Sequence, residues 1–312
     1  MLNRRHIRAK VMQILYAQKS NTSEKALSSL LQQNFEHMYS LYLLLLSLLL
    51  KLRERAEDHQ QKAKQKFRPT HEDEHPNTRF VQNALLVHLA ESTSLASKLK
   101  HYNIDFWEHD GEYVELLFQE MMQSELYKFY MNTSQTSFKK DTDFVVELFK
   151  EIIAPNEKLY DYLEDKNLTW IDDLPVVNTA LVKLFNKFRE NSPETYFTPL
   201  LFKDKDDEGF GVLLMTKTLN NAERFNEEII LNTKNWDKDR IATIDFVLLQ
   251  MALCELQEFP TIPAKVTINE YIELAKEYST PKSNVFINGV LDKIVREYKE
   301  NKTLNKKGRG LM

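Results

Sequence analysis

A single cysteine, Cys254, stands in a chain of 312 residues. No intrachain disulfide can form, so a bridge-stapled secreted fold is excluded and a reducing cytoplasm is the expected compartment. Glycine is scarce, at 6 residues. That argues against Gly-rich loops that cradle phosphates and against many tight hairpins. Gly209-Phe210-Gly211 is too short to build such a loop. Long apolar runs are missing as well. The Leu-rich stretch Leu41 to Leu50 falls short of the roughly 20 residues that span a bilayer, and it lies too deep in the chain for a signal peptide. It is expected to be a buried helix, with no membrane contact.

What is abundant favours helix. Apolar residues make up 42% of the chain, enough for a substantial core. Leu, Lys, Glu and Ala are good helix formers, and strand-like alternation is lacking, so an all-α fold is expected. The net charge is −4, but it is unevenly spread. Residues 1–19 hold Arg4, Arg5, Arg8, Lys10 and Lys19 with no acid. Residues 293–312 hold seven cations against Glu297 and Glu300. Basic ends on an acidic body suggest a local site for a polyanion, with solubility alone as the plain alternative.

The first helix is expected from about Asn3 to Lys19. Ile7, Val11, Ile14, Leu15 and Gln18 share one face, Arg5, Ala9, Met12 and Tyr16 share another, and Arg8 lies at the border. Such a helix docks by its apolar stripe and presents Arg5 and Tyr16 outward. A second helix covers about Ser23 to Gln60, and Pro69 and Pro76 mark a loop. Helical patterning resumes from Asn77 to Asn191, with interruptions near Asn132–Lys140 and Ala154–Asn156. Asn191-Ser192-Pro193 and Asp204 to Gly211 read as further breaks.

Three apolar-periodic blocks close the sequence. The first carries Ile241, Ile244, Val247, Leu248, Met251 and Cys254 inward, is capped by Asn235 or Asp237, and ends at Pro260 and Pro263. Thr267 with Glu270 makes a capping box for the second, and Ser283 caps the third. In the third, Ile287, Val290, Leu291, Ile294 and Tyr298 form the buried stripe. Phe286 lies about 100° from Ile287 on the wheel. It is expected to be exposed beside Lys282, where it could stack on a base. Gly289 weakens a helix and is expected to permit close approach of a neighbouring one.

Motifs for chemistry are weak. His71-Glu72-Asp73-Glu74-His75 matches the zinc-protease pattern H-E-x-x-H. That chemistry needs both histidines on one stable, partly buried helix and a third ligand. The segment instead lacks apolar periodicity and lies between two prolines, so no metal site is expected beyond adventitious binding. Cys254 sits on an apolar face with no histidine near it in sequence, which suits an inert thiol. The cluster Arg4-Arg5-His6-Ile7-Arg8 is by itself a solvated helix end. It gains interest from Tyr16 on the Arg5 face, because cations neutralise phosphates while an aromatic ring offers a stacking surface.

Trp236 to Asp245, Cys254-Glu255-Leu256, Ile268-Asn269-Glu270, Leu274-Ala275-Lys276 and Phe286-Ile287-Asn288-Gly289 resemble the NusB family of transcription antitermination factors. Arg4 to Tyr16 is similar to the family's first helix, and Gly209 to Asn232 to the helix before its C-terminal half. The resemblance implies two packed three-helix bundles, expanded here. Residues 1–54 would supply the N-terminal helices of the core and 55–206 a helical insertion of unknown role. Residues 207–300 would complete the core, including the C-terminal bundle, and 301–312 would be a basic flexible tail.

The same resemblance implies a cytoplasmic, non-catalytic adaptor without a cofactor. It would bind boxA-like single-stranded RNA together with NusE, a small-subunit ribosomal protein. The setting would be the RNA polymerase antitermination complex, typically on ribosomal RNA operons. By position, Arg4, Arg5, Arg8, Tyr16, Lys282, Ser283 and Phe286 become the RNA contacts and Asp245 the partner-facing residue. Some members carry an acid where Lys282 stands, and a lysine there favours RNA. Some RNA cytosine methyltransferases carry a NusB-like N-terminal domain, but they continue into a methyl-donor-binding domain. This sequence ends 14 residues after Tyr298, so that domain is not expected. The alternative reading is a helical protein-interaction scaffold.

Overall fold

The computed structural model describes residues 2–18, 23–135, 137–233 and 241–311. Among them are sixteen α-helices and no strand. Helices α1 (Arg4–Ala17) and α2 (Glu24–Lys64) come first. Then follow α3 (His71–Glu74), α4 (Ala84–Glu91), α5 (Thr93–His101), α6 (Phe106–His109), α7 (Gly111–Gln123) and α8 (Glu125–Asn132). Next are α9 (Phe138–Leu148), α10 (Glu157–Lys166) and α11 (Thr169–Lys187). The last are α12 (Lys205–Asn220), α13 (Ala222–Asn232), α14 (Thr243–Glu258), α15 (Ala264–Tyr278) and α16 (Ser283–Glu300). The chain forms two compact units, one of Met1–Phe35 with Leu201–Met312, the other of Glu36–Leu200.

In the discontinuous unit α1 is an inner helix. Asn3 caps it, its side chain accepting from the His6 N–H at 3.0 Å. α1 packs against α12, α14 and α15. Three neighbours widen its buried stripe, so Ala9 and Met12, expected to face outward, are buried with Ile7 and Val11. Tyr16 remains outside, 55% exposed. The break expected at Asp204 to Gly211 is instead the start of α12. Asp204 caps that helix, accepting from the Asp207 N–H at 2.9 Å. A Cβ on Gly211 would stand 2.8 Å from Ile7 Cγ2, so glycine lets α1 and α12 cross closely.

α14 is buried nearly all round, and Pro260 and Pro263 follow its end as expected. The caps expected at Asn235 or Asp237, and Trp236 between them, lie outside the described residues. α15 starts at Ala264, a turn earlier than a Thr267 cap requires. Thr267 is therefore inside the helix, and its hydroxyl donates to Glu255 Oε1 at 2.8 Å. Ser283 is the first residue of α16 and makes no cap. Its hydroxyl donates to Asp245 Oδ2 at 2.7 Å.

The core stripe of α16 holds at Ile287, Val290, Leu291 and Ile294, with Tyr298 half-buried. Phe286 joins the core at 6% exposure, and Val285 is outside at 66%. The reason is that α13, α14 and α15 all pack on α16 and leave it a narrow free face. Gly289 is on that free face with open space around it, so no neighbour approaches there. After α16 the chain returns to the end of α14. Lys306 Nζ donates to the carbonyls of Glu255 and Phe259, both at 3.1 Å. The Lys307 N–H donates to the Pro260 carbonyl at 2.9 Å, and Gly310 lies against that carbonyl with no room for a Cβ.

In the contiguous unit the Leu-rich part of α2 is the core. Leu41, Leu43, Leu44, Leu46, Leu48 and Leu49 are fully buried. α2 is long and apolar enough to cross a membrane, but 72% of its most apolar window is buried by protein. The ends of this unit are tied together. Tyr39 OH donates to the Pro199 carbonyl at 3.1 Å, and Tyr42 OH to that of Phe197 at 3.0 Å. His71 opens the exposed single turn α3, which Thr70 caps, and His75 follows its end.

Candidate nucleic-acid interface

The first two turns of α1 aim three arginines at three acids. Arg8 is the innermost. Its Nε and Nη2 donate to Glu255 Oε2 and Oε1 at 2.7 and 2.8 Å. The two side chains are only 2% and 0% exposed. Glu255 also accepts from Thr267 and, at 3.4 Å, from Tyr271 OH. Burial opposes the Arg8 charge, but the Glu255 carboxylate outweighs it and holds the guanidinium above its ordinary pKa. Arg8 is thus fixed by a buried pair and does not reach solvent. Its expected role as a direct phosphate contact does not fit this placement.

Arg5 stands nearer the surface. Its Nε and Nη2 donate to Glu270 Oε2 and Oε1, each at 2.9 Å. Burial opposes the Glu270 charge, yet the Arg5 hydrogen bonds and nearby Arg8 keep its carboxyl below the usual range. Arg4 Nε donates to Asp207 Oδ1 at 2.7 Å, with its guanidinium 5.0 Å from the Phe210 ring centre. The Arg4 and Arg5 side chains are 37% and 41% exposed. Their partners Asp207 and Glu270 are only 11% and 19% exposed, so each pair is closed on its acid side and open on its arginine side, where a phosphate can approach.

These arginines line one open groove of about 720 Å³. Asn3, His6, Thr261, Pro263, Glu270 and Arg309 complete much of its wall. Tyr16, Lys282, Ser283 and Phe286 are not on that wall. Tyr16 lies eleven residues beyond Arg5, about 16 Å along the helix. Lys282 is exposed at the α15–α16 turn. Asp245, expected to face a partner, is 4% exposed. It accepts from the hydroxyls of Ser279 and Ser283 at 2.6 and 2.7 Å and so fixes that turn from beneath. Asp245 and Ser283 hold the turn that carries Lys282, and Phe286 is core.

Glu255, Asp207 and Arg309 were not singled out as groove residues by sequence reasoning, which named Glu255 only within the family-like Cys254-Glu255-Leu256. Glu255 could have been, because a carboxylate in an otherwise apolar helix demands a buried cation. Arg309 carried no signal beyond its charge. Cys254, next to Glu255, is fully buried, and burial pushes its thiol pKa up to about 12. It is no nucleophile at neutral pH.

The sequence model of the NusB family matches residues 177–296. The chain is 44% identical over 112 residues to the transcription antitermination protein NusB of Salinibacter ruber, covering 36% of this chain and 70% of that protein. It is 39% identical over 99 residues to the protein of the same name from Chloroherpeton thalassium, covering 32% and 47%. For that of Natranaerobius thermophilus the identity is 37% over 84 residues, covering 27% and 60%. No solved structure matches the chain. The family match takes in Asp245, Glu255, Glu270 and Phe286, and leaves out α1 as well as Lys306 and Arg309.

Proposed function

This chain belongs to the NusB family and is a transcription antitermination factor, and we propose that it works by binding boxA-like single-stranded RNA together with NusE. The observation that carries the reading is the groove at the start of α1, where Arg4 and Arg5 are half-exposed and held in place by acids. Fixed cations reach phosphates with little further ordering. Tyr16, on the same side of α1 as Arg5, offers a ring to a base farther along the strand. Lys282 adds a further cation, off the groove, at the turn that Asp245 and Ser283 stabilise. Arg8 contributes by holding α1 on α14 and α15.

In this reading the factor has no catalytic step and acts in the cytoplasm, in the RNA polymerase antitermination complex on ribosomal RNA operons. A short groove gives modest RNA affinity, so NusE is the partner that raises it by adjoining the same strand. The turn above Asp245, with the exposed Thr243 at the start of α14, forms its docking face. The contiguous unit Glu36–Leu200, which holds nearly all of the insertion expected over residues 55–206, carries a separate role, although the family match already begins at residue 177 within it. Calorimetry of RNA binding with and without NusE tests the proposal. The expected result is tighter RNA binding with NusE present and weaker binding after Arg5→Ala. Equal affinity with and without NusE removes the cooperative adaptor, and no RNA binding in either case favours the protein-interaction scaffold.

A further inference from the structure

The family match reaches only the α14–α15 side of the groove, and both α1 and residues 303–311 lie outside it. Residues 303–311 leave α16 and lie across the end of α14. A lysine suits that place, because the last carbonyls of a helix lack intrahelical donors and carry partial negative charge. Lys306 fills the role, 8% exposed, with its ammonium on the Glu255 and Phe259 carbonyls. Lys307 N–H on Pro260 and the close seating of Gly310 fix the segment again on either side. Between these anchors Arg309 is exposed and lines the same groove as Arg4 and Arg5.

The cations of the groove differ in one respect. Arg4, Arg5 and Arg8 each have a carboxylate partner. Among the described residues Arg309 forms no ion pair. A phosphate that takes Arg4 or Arg5 must displace an acid, and the gain is reduced by what is given up. A phosphate that meets Arg309 displaces only counterions and solvent, and counterion release is the main source of affinity for a polyanion. Arg309 is therefore the residue where RNA gains most per contact.

We infer that residues 303–311 form a strap that completes the RNA groove, with Arg309 as a phosphate contact and Lys306 as the positioning residue that holds it. The inference rests on the RNA-binding reading above. It predicts a contribution from a segment that, like α1, lies outside the matched stretch of the family.

The test uses the full chain and a short unstructured single-stranded RNA, with affinity read by fluorescence anisotropy from 50 to 200 mM salt. One phosphate contact on a single strand adds about 0.7 to the slope of log affinity against log salt, which is roughly fivefold in affinity near 0.1 M. Arg309→Ala is expected to weaken binding by that factor and flatten the slope by that amount. Lys306→Met is expected to do the same. The double variant should be no weaker than either single one, because a strap already released has no contact left to lose. Lys299→Ala, exposed on α16 and off the groove, serves as a charge control and should bind like the parent. If Lys306→Met fails to fold, Arg309→Ala alone decides. A parent that binds RNA while Arg309→Ala matches it in affinity and slope overturns the strap and leaves the groove standing. A parent that binds no RNA overturns both.

Discussion

Replacing Arg8 by methionine removes the counter-charge of a carboxylate that has no access to water. Glu255 is 0% exposed, and Arg8 supplies two of its hydrogen bonds, at 2.7 and 2.8 Å. Breaking one side of a buried ion pair costs about 3–5 kcal/mol. Methionine keeps most of the arginine stem, so little cavity is added. The Thr267 and Tyr271 hydroxyls remain on the carboxylate and place the expected loss near the lower end, about 3 kcal/mol. Cys254 reports this loss where it occurs. It is the chain's only thiol, it is fully buried, and it adjoins Glu255. Its labelling by a thiol reagent under native conditions follows the population of the opened unit when opening is fast. A 3 kcal/mol loss then means roughly 150-fold faster labelling. Arg8→Met combined with Glu255→Gln removes both charges and keeps an acceptor for Thr267. That pair should label within about tenfold of the parent. Parent-like labelling of Arg8→Met would refute the reasoning. So would loss of RNA binding without any change in labelling, which would make Arg8 a direct contact after all.

Two glycines in helices should respond in opposite directions. Gly211→Ala, with Ile7 only 2.8 Å from the added carbon, should lower the urea midpoint by the equivalent of about 1–3 kcal/mol. Gly289→Ala, in open space on α16, should raise it by about 0.5–1 kcal/mol. Phe286→Ala should destabilise by about 3–5 kcal/mol as a core truncation, whereas exposed Val285→Ala should stay within about 0.5 kcal/mol in the same urea titration. Burial pulls the Lys306 ammonium from its ordinary pKa of 10.5 down to about 8. Between those values the unfolded chain holds a proton that the folded one has lost, so stability rises with pH by as much as about 3 kcal/mol. That increment is complete above the unfolded value and vanishes as pH falls through the folded one. Urea midpoints at several pH values should show the rise in the parent and not in Lys306→Met.

Local pattern made much of the fold legible. The all-α class, the proline-bounded end of α14 and the stripe of α16 follow from composition and from spacings within a few turns. What stayed hidden depends on distant partners. Arg8 meets an acid 247 positions away, and no helical wheel shows such a pairing. Thr267 and Glu270 have capping-box spacing, yet Glu255 on the preceding helix takes the threonine hydroxyl and α15 begins earlier. Phe286 and Met12 were misplaced for one reason. A wheel divides a helix into an inner and an outer half, but a helix with three neighbours has a much narrower outer face. The cationic cluster at the start of α1 was visible in the sequence, and the acids that hold it were not. The resemblance supplied the family, while the buried states of Asp245, Ser283 and Phe286 came only from the packing.

The hydroxyls of Tyr39 and Tyr42, bonded to Pro199 and Phe197, bear on the order in which the chain can fold. The helices that α1 packs on most, α12, α14 and α15, all come after Leu201, so its unit must close a loop that contains the whole of Glu36–Leu200. A flexible loop of that length carries a large entropic cost and slows the closing step. Once the intervening unit has folded, its two ends are clasped, and the long loop becomes a short bridge between neighbouring points. The contiguous unit can do this during synthesis, before α14 has left the ribosome. The first helix made is then among the last to be seated, and weakening the two tyrosine clasps should delay that seating more than it alters the finished structure.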